Sequence, residues 1–218
     1  MSEQKHLNLW KRRLGRVPES VWEQIELETL VLADNELTEV SARIGDLKCL
    51  RMLDLGHNAL QDLPESLGDL DSLSDFLYLH DNRLVSLPAS LARLKRLRYL
   101  NISGNVFEAL PECVCKMQSL IELRACDNPL AVLSDSIRQL TSLRELHLRN
   151  TKLKYLPNEV TELLELRQID LRGTPLEYLP AGLANLLRLE KVDLRWVSTL
   201  EWPDWLAALE ARGCVVYR

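Results

Sequence analysis

At 218 residues, 46% of them hydrophobic, and with a formal net charge of −5, the chain can bury a sizeable core. It is too acidic overall for general binding to nucleic acid by phosphate neutralisation. No stretch approaches the roughly 20 apolar residues that span a bilayer, and the opening MSEQKHLNLWKRR lacks an apolar run of signal-peptide length. Five cysteines (Cys49, Cys113, Cys115, Cys126 and Cys214) form no paired framework. Reduced thiols, and with them a cytoplasmic location, are the expectation.

Residues 1–18 carry Lys5, Lys11, Arg12, Arg13 and Arg16 against Glu3, about +4, which leaves about −9 for the rest. This basic end reads as a solvated terminus of the fold rather than a surface for an acidic partner or membrane. A leucine-rich unit then recurs every 23 residues, starting at Leu27, Leu50, Leu73, Leu97, Leu120, Leu143, Leu166 and Leu189, with one extra residue after Leu73. A fixed period of this length is the mark of a solenoid in which each unit is a strand, a turn and a short return. No linker interrupts it. The expected organisation is one domain, 1–218, with an N-terminal capping unit at 1–24, repeats at 25–195, and a C-terminal capping helix and strand at 196–218.

In each unit an L-x-L pair alternates with period two, so it reads as a short strand with one face inward. The inward pairs run from Leu7/Leu9 and Leu30/Leu32 through Leu123/Ala125 to Val192/Leu194, with Val215/Tyr217 as a weak tenth. About ten parallel strands are predicted. The return, as in PESLGDL from Pro64, spaces apolar residues three apart and suits a short helix or 3₁₀ turn. Asn35, Asn58, Asn82, Asn105 and Asn128 share the position where the backbone leaves the strand, and a buried amide can satisfy several backbone groups there. Thr151 and Thr174 replace them with fewer bonds. Pro18, Pro64, Pro88, Pro111, Pro157, Pro180 and Pro203 suit a first helical position, while Ser41 and Ser134 stand there as caps. All five tryptophans fall near the ends (Trp10, Trp22, Trp196, Trp202 and Trp205) and read as covers for the outer layers. The final WPDWLAALEARGCVVYR predicts a helix from about Pro203, a stop at Gly213 and a last strand with an open edge. A monomer is expected, with that edge as a place for weak self-association.

The segment L-x-x-L-x-L-x-x-N-x-L-x-x-L-P-x-x-L-x-x-L, repeated over essentially residues 5–218, resembles the leucine-rich repeat family. The 23-residue length is similar to the typical class, which includes Ras-suppressor and plant intracellular Ras-group proteins and many bacterial proteins. The resemblance implies an α/β solenoid, a right-handed superhelix or horseshoe. Its parallel sheet of about ten strands lines the concave side, with short helices and 3₁₀ turns on the convex side. It implies a protein or peptide partner and no activity. A second reading is the substrate-recognition or autoinhibitory part of a larger enzyme, such as a bacterial effector ubiquitin ligase; no segment of the chain is left over for the ligase.

Residues that alternate with the inward leucines face the concave side. Two zones emerge there. Phe76, Tyr78, His80 and Tyr99, with His57 and Asn101 beside them, form an exposed aromatic zone of the kind enriched in binding hot spots. The extra residue before Phe76 would bulge the sheet edge there. The second zone is a ladder of Arg149, Arg172 and Arg195, extended by Arg124, with His147, Asp170 and Asp193 interleaved and Trp196 at its edge. It reads either as a self-satisfied charge lattice or as a site for an acidic or phosphorylated peptide.

Weaker constellations carry no assignment. His57, His80 and Asp81 approach one another but are short of ligands, so no metal and no cofactor is expected. Cys113 and Cys115 read as surface thiols on the convex return. Cys126 with Asp127 and His147 lacks an oxyanion loop, so no catalytic residue is expected. Tyr155 and Tyr178 read as a stacked pair. No phosphate-cradling glycine loop is present. The chain is read as a non-catalytic protein-binding scaffold or adaptor.

Overall fold

The computed structural model describes residues 5–218; Glu3, counted in the basic end, lies outside the described residues. Ten three-residue strands follow the leucine period. They are β1 (His6–Asn8), β2 (Thr29–Val31), β3 (Met52–Asp54), β4 (Phe76–Tyr78), β5 (Tyr99–Asn101), β6 (Glu122–Arg124), β7 (Glu145–His147), β8 (Gln168–Asp170), β9 (Lys191–Asp193) and β10 (Val215–Tyr217). They pair in chain order as one parallel sheet, so each strand touches only the units before and after it. The return segments are 3₁₀ turns, with one α-helical turn, α1 (Glu112–Cys115). A single aliphatic core runs along the stack between sheet and returns, and leucines such as Leu53, Leu77 and Leu100 are fully buried.

The asparagine ladder holds the layers together. The Asn105 amide donates to the carbonyls of Ile102, Ser103 and Leu79, and its oxygen accepts from the Leu84 N–H of the preceding unit. Asn58, Asn82 and Asn128 repeat this arrangement, so each amide closes its own turn and stitches it to its neighbour. Thr151 and Thr174 each donate one bond, to Leu148 and Leu171. The residue before each ladder position takes a left-handed conformation, including His57 (φ 52), Asp81 (φ 52), Gly104 (φ 64) and Trp196 (φ 64). That twist turns the chain out of the strand and lifts these side chains onto the concave rim.

Several expectations are corrected. Val216, not Val215 or Tyr217, pairs with the inward Val192, so the outward column ends in Tyr217 rather than Val216. The capping helix α2 (Leu206–Ala211) interrupts the 23-residue frame, and a one-residue phase error flips every side chain to the other face. That helix begins at Leu206 rather than Pro203. The prolines sit one residue before the return helices in extended conformation, as at Pro64 (φ −69, ψ 145), where the carbonyl accepts from the Leu67 N–H. Ser41 and Ser134 do cap, accepting from Arg43 and Ser136 N–H.

Cys113 and Cys115 are buried, not on the surface. In the 23-residue frame they stand where Ser66 and Gly68 stand in an earlier return, a layer so tight that a Cβ on Gly68 would collide with Ser90. Small side chains are required there, and a thiol fits between layers. Burial pushes the Cys113 thiol up to about 11 and Cys115 up to about 12. Of the tryptophans, only Trp22 is fully covered and Trp205 packs partly on the core; Trp10, Trp196 and Trp202 are exposed. The extra residue after Leu73 leaves the ladder in register, with Met52 opposite Phe76. It is absorbed before the strand, where Asp75 N–H bonds Arg51 O and Arg98 N–H bonds Ser74 O.

Candidate functional site

The strands β3, β4 and β5 bring the aromatic zone together as one surface. Phe76 and Tyr78 lie two residues apart on one strand with ring centroids 5.8 Å apart. Tyr99 on the next strand meets both, at 5.4 Å and 5.1 Å. The patch continues through His80, 6.0 Å from Tyr78, to His57, 4.8 Å from His80. Phe76 is 42% exposed, while Tyr78, His80 and Tyr99 are partly covered by one another. Burial pushes the Tyr99 hydroxyl up to about 12 and raises Tyr78. Burial also lowers the His80 imidazole. Rings held this way present apolar area with little conformational freedom left to lose on binding.

The arginine zone is built differently. Arg172 donates two hydrogen bonds to Asp170, at 2.8 Å and 2.6 Å, and Arg195 donates two to Asp193, at 2.9 Å and 2.7 Å. Arg172 also lies 3.6 Å from Asp193, linking the two pairs across strands. Arg149 is held by Asp127 at 2.8 Å, and Arg124 by Glu122 at 2.5 Å. His147 sits among Glu145, Glu122 and Asp170, at 3.2, 3.7 and 3.9 Å. Of the two readings, the self-satisfied charge lattice is therefore the one the chain forms. Asp170 and Asp193, read as contact residues, are only 8% and 1% exposed, covered by the guanidiniums they hold. Burial pushes the Asp170 carboxyl upward, but hydrogen bonds from Arg172 and His147 outweigh it and keep it well below the usual carboxylate range.

These aspartates have a second role that the spacing alone did not reveal. Asp170 and Asp193 each accept from the N–H two residues on, at Arg172 and Arg195. Asn8, Asp54 and Asn101 do the same for Trp10, Gly56 and Ser103. The short acceptor side chain caps the strand end, an Asx turn. Asn101 thus belongs to the turn as much as to the aromatic surface. The recurrence of Asx two residues before the bend was the readable signal.

Two further features escaped the sequence reading. Tyr217, on the corrected face, lies against Arg195 at 5.0 Å and Lys191 at 5.4 Å, while Trp196, 72% exposed, flanks Arg195 at 5.9 Å. Where the chain enters the strands, Arg96, Arg98 and Arg144 line a hollow with Ser119, Ile121, Ser142 and Glu165. Glu165 is taken up by Arg188, whereas these three arginines form no ion pair among the described residues. Cys126 is half-buried, and burial raises its thiol, which opposes the thiolate a nucleophile needs.

Leucine-rich repeat family models match residues 25–84 and 96–117. No curated protein matches the chain. The leucine-rich repeat domain of the type III effector XopL is similar over all of this chain and 77% of that one, with 25% identity and a TM-score of 0.86. The chain is a leucine-rich repeat protein. A leucine-rich repeat protein of Leptospira interrogans is similar over 96% of this chain and 65% of that one, at 25% identity and a TM-score of 0.76. The ectodomain of the Arabidopsis thaliana receptor kinase GASSHO1/SCHENGEN3, solved with CASPARIAN STRIP INTEGRITY FACTOR 2, matches 93% of this chain but only 28% of its own length. Its identity is 25% and its TM-score 0.70. The repeat chain thus spans less than two thirds of two of these proteins. Leucine-rich repeats of this kind are typical of protein-interaction domains. Among the described residues no helix is long and apolar enough to cross a membrane.

Proposed function

We propose that this leucine-rich repeat protein is a non-catalytic scaffold or adaptor that recognises a protein or peptide on its concave face, with the aromatic surface of Phe76, Tyr78 and Tyr99 as its anchor. The carrying observation is that these rings contact one another yet keep an open face at the middle of the sheet. Exposed contiguous rings of this kind are uncommon unless something covers them. An acidic or phosphorylated segment of the partner has a better counterpart in Arg96, Arg98 and Arg144 than in the concave ladder, whose guanidiniums already hold carboxylates. Five unpaired cysteines support a reducing, cytoplasmic setting.

The test is affinity capture with purified wild-type and variant chains against the same cytosol, followed by direct binding of the recovered partner. Alanine at Tyr78 and at Tyr99 is expected to weaken capture without unfolding, and charge reversal at Arg149 and Arg172 tests the neighbouring zone. Unchanged capture by all four variants would remove the concave site.

A second reading, the recognition or autoinhibitory part of a larger enzyme, is favoured by the similarity to the XopL repeat domain over the whole of this chain. A catalytic segment encoded in frame with this one, restrained or directed by it, would decide for that reading.

A further inference from the structure

On the rim beside the aromatic surface, three ligating side chains meet. His57 Nδ1 lies 3.4 Å from Asp81 Oδ2, and the rings of His57 and His80 stand nearly perpendicular, at 80°. One ligating atom from each of His57, His80 and Asp81 falls within 4.8 Å of the other two. A tetrahedral zinc ion with bonds near 2.0–2.1 Å holds its ligand atoms about 3.3 Å apart. The His57–Asp81 pair already has that spacing.

The surroundings are shaped for these groups. A Cβ on Gly56 would collide with the His80 imidazole, and one on Gly104 would collide with the Asp81 carboxylate. Glycine at both positions leaves the space that ring and carboxylate occupy. His80 Nδ1 is buried over Gly56 and has no hydrogen-bond partner, an uncompensated polar atom. No lysine or arginine among the described residues pairs with Asp81 or with the nearby Asp54, whose charge acts on His80. The backbone is fixed independently of any ion, because His57 N–H bonds His80 O and Asp81 N–H bonds Ser103 O, both at 2.9 Å. The other such cluster, Glu122, Glu145 and His147, is less suited, since Arg124 already occupies Glu122.

We propose that His57, His80 and Asp81 form a binding site for a divalent transition-metal ion of the zinc type, its remaining coordination position open to the concave side. Two imidazoles and one carboxylate are a ligand set that such ions accept. The site does not depend on the partner-binding reading.

The experiment is calorimetric titration of the full chain with Zn²⁺, and separately with Co²⁺ as a visible-absorbing probe. One ion per chain is expected. His57→Asn, chosen because asparagine tolerates the left-handed backbone, and His80→Ala should each weaken binding by on the order of 100-fold, with circular dichroism unchanged. His147→Ala and Cys126→Ser should bind as wild type. Binding that survives both His57→Asn and His80→Ala, that falls instead in His147→Ala or Cys126→Ser, or that is absent from the wild type would overturn the site. Should His80→Ala fail to fold, the exposed His57→Asn decides alone.

Discussion

Between β3 and β5 the concave face presents rings packed against one another, with only Arg124 laid over the Tyr99 edge, whereas between β6 and β9 it presents guanidiniums already engaged by carboxylates. Both zones sit on the same parallel sheet at the same strand spacing, so architecture does not distinguish them. The chemistry of the column between the inward leucines does. Where that column carries Asp170 and Asp193, the arginine two residues on folds back as a bidentate partner, and the charge is cancelled inside the strand. Where it carries Tyr78, His80 two residues on meets it only by ring contact, and the apolar area remains available. A row of arginines on a repeat surface is therefore not by itself an anion site; what matters is which of them lacks a carboxylate within reach.

The sharpest way to break this contrast is the double change Tyr78→Ala/Tyr99→Ala. If the rings are the anchor, partner affinity should fall by about 3 kcal/mol, more than a hundredfold in Kd, with little change in the urea midpoint. Next comes Asp170→Ala. It removes the acceptor for Arg172 and for the turn, and should cost about 2 kcal/mol of stability by urea denaturation while leaving partner affinity intact. Equal effects of both changes on binding would erase the distinction between the zones. Arg149→Ala breaks one partly exposed pair with Asp127, and should cost no more than about 1 kcal/mol in the same assay.

Proton linkage separates the zones at opposite ends of the pH scale. The Asp170 carboxyl is depressed below its ordinary 3.8. Its contribution is present above that value and is lost as pH falls through the lower folded value. Urea midpoints should therefore drop less between pH 5 and about pH 3 in Asp170→Asn than in the wild type. Tyr99 moves the other way. Raised from 10.0 to about 12, it contributes stability that is intact below pH 10 and lost as pH rises toward the folded value. Absorbance titration should show one tyrosine ionising late, and Tyr99→Phe should remove that step.

The order of the ten strands was legible because a buried leucine every second position, repeated every 23 residues, allows one stacking. The amide ladder was legible for the same reason, since an asparagine at a fixed place in each turn has a fixed set of carbonyls to satisfy. The phase of β10 was not. The helix α2 has no counterpart in earlier units, so the period gave no count across it, and Tyr217 was placed on the wrong face. The cysteines of α1 were misread because the returns of adjacent units pack tightly on one another, so positions turned away from the leucine core still lie buried between layers, as Gly68 and Ser90 do.

By itself the sequence determined the solenoid, its inward leucines and the set of side chains that look across the concave face, because burial of one strand face enforces a strict alternation. Only the tertiary structure decided which of those side chains are free. Arg172 and Asp170 are equally outward by alternation, yet one covers the other. His57, His80 and Asp81 come together only because a left-handed turn in one unit stands beside the same turn in the next. Pairing between side chains depends on distances and directions across neighbouring strands, which a one-dimensional period does not carry.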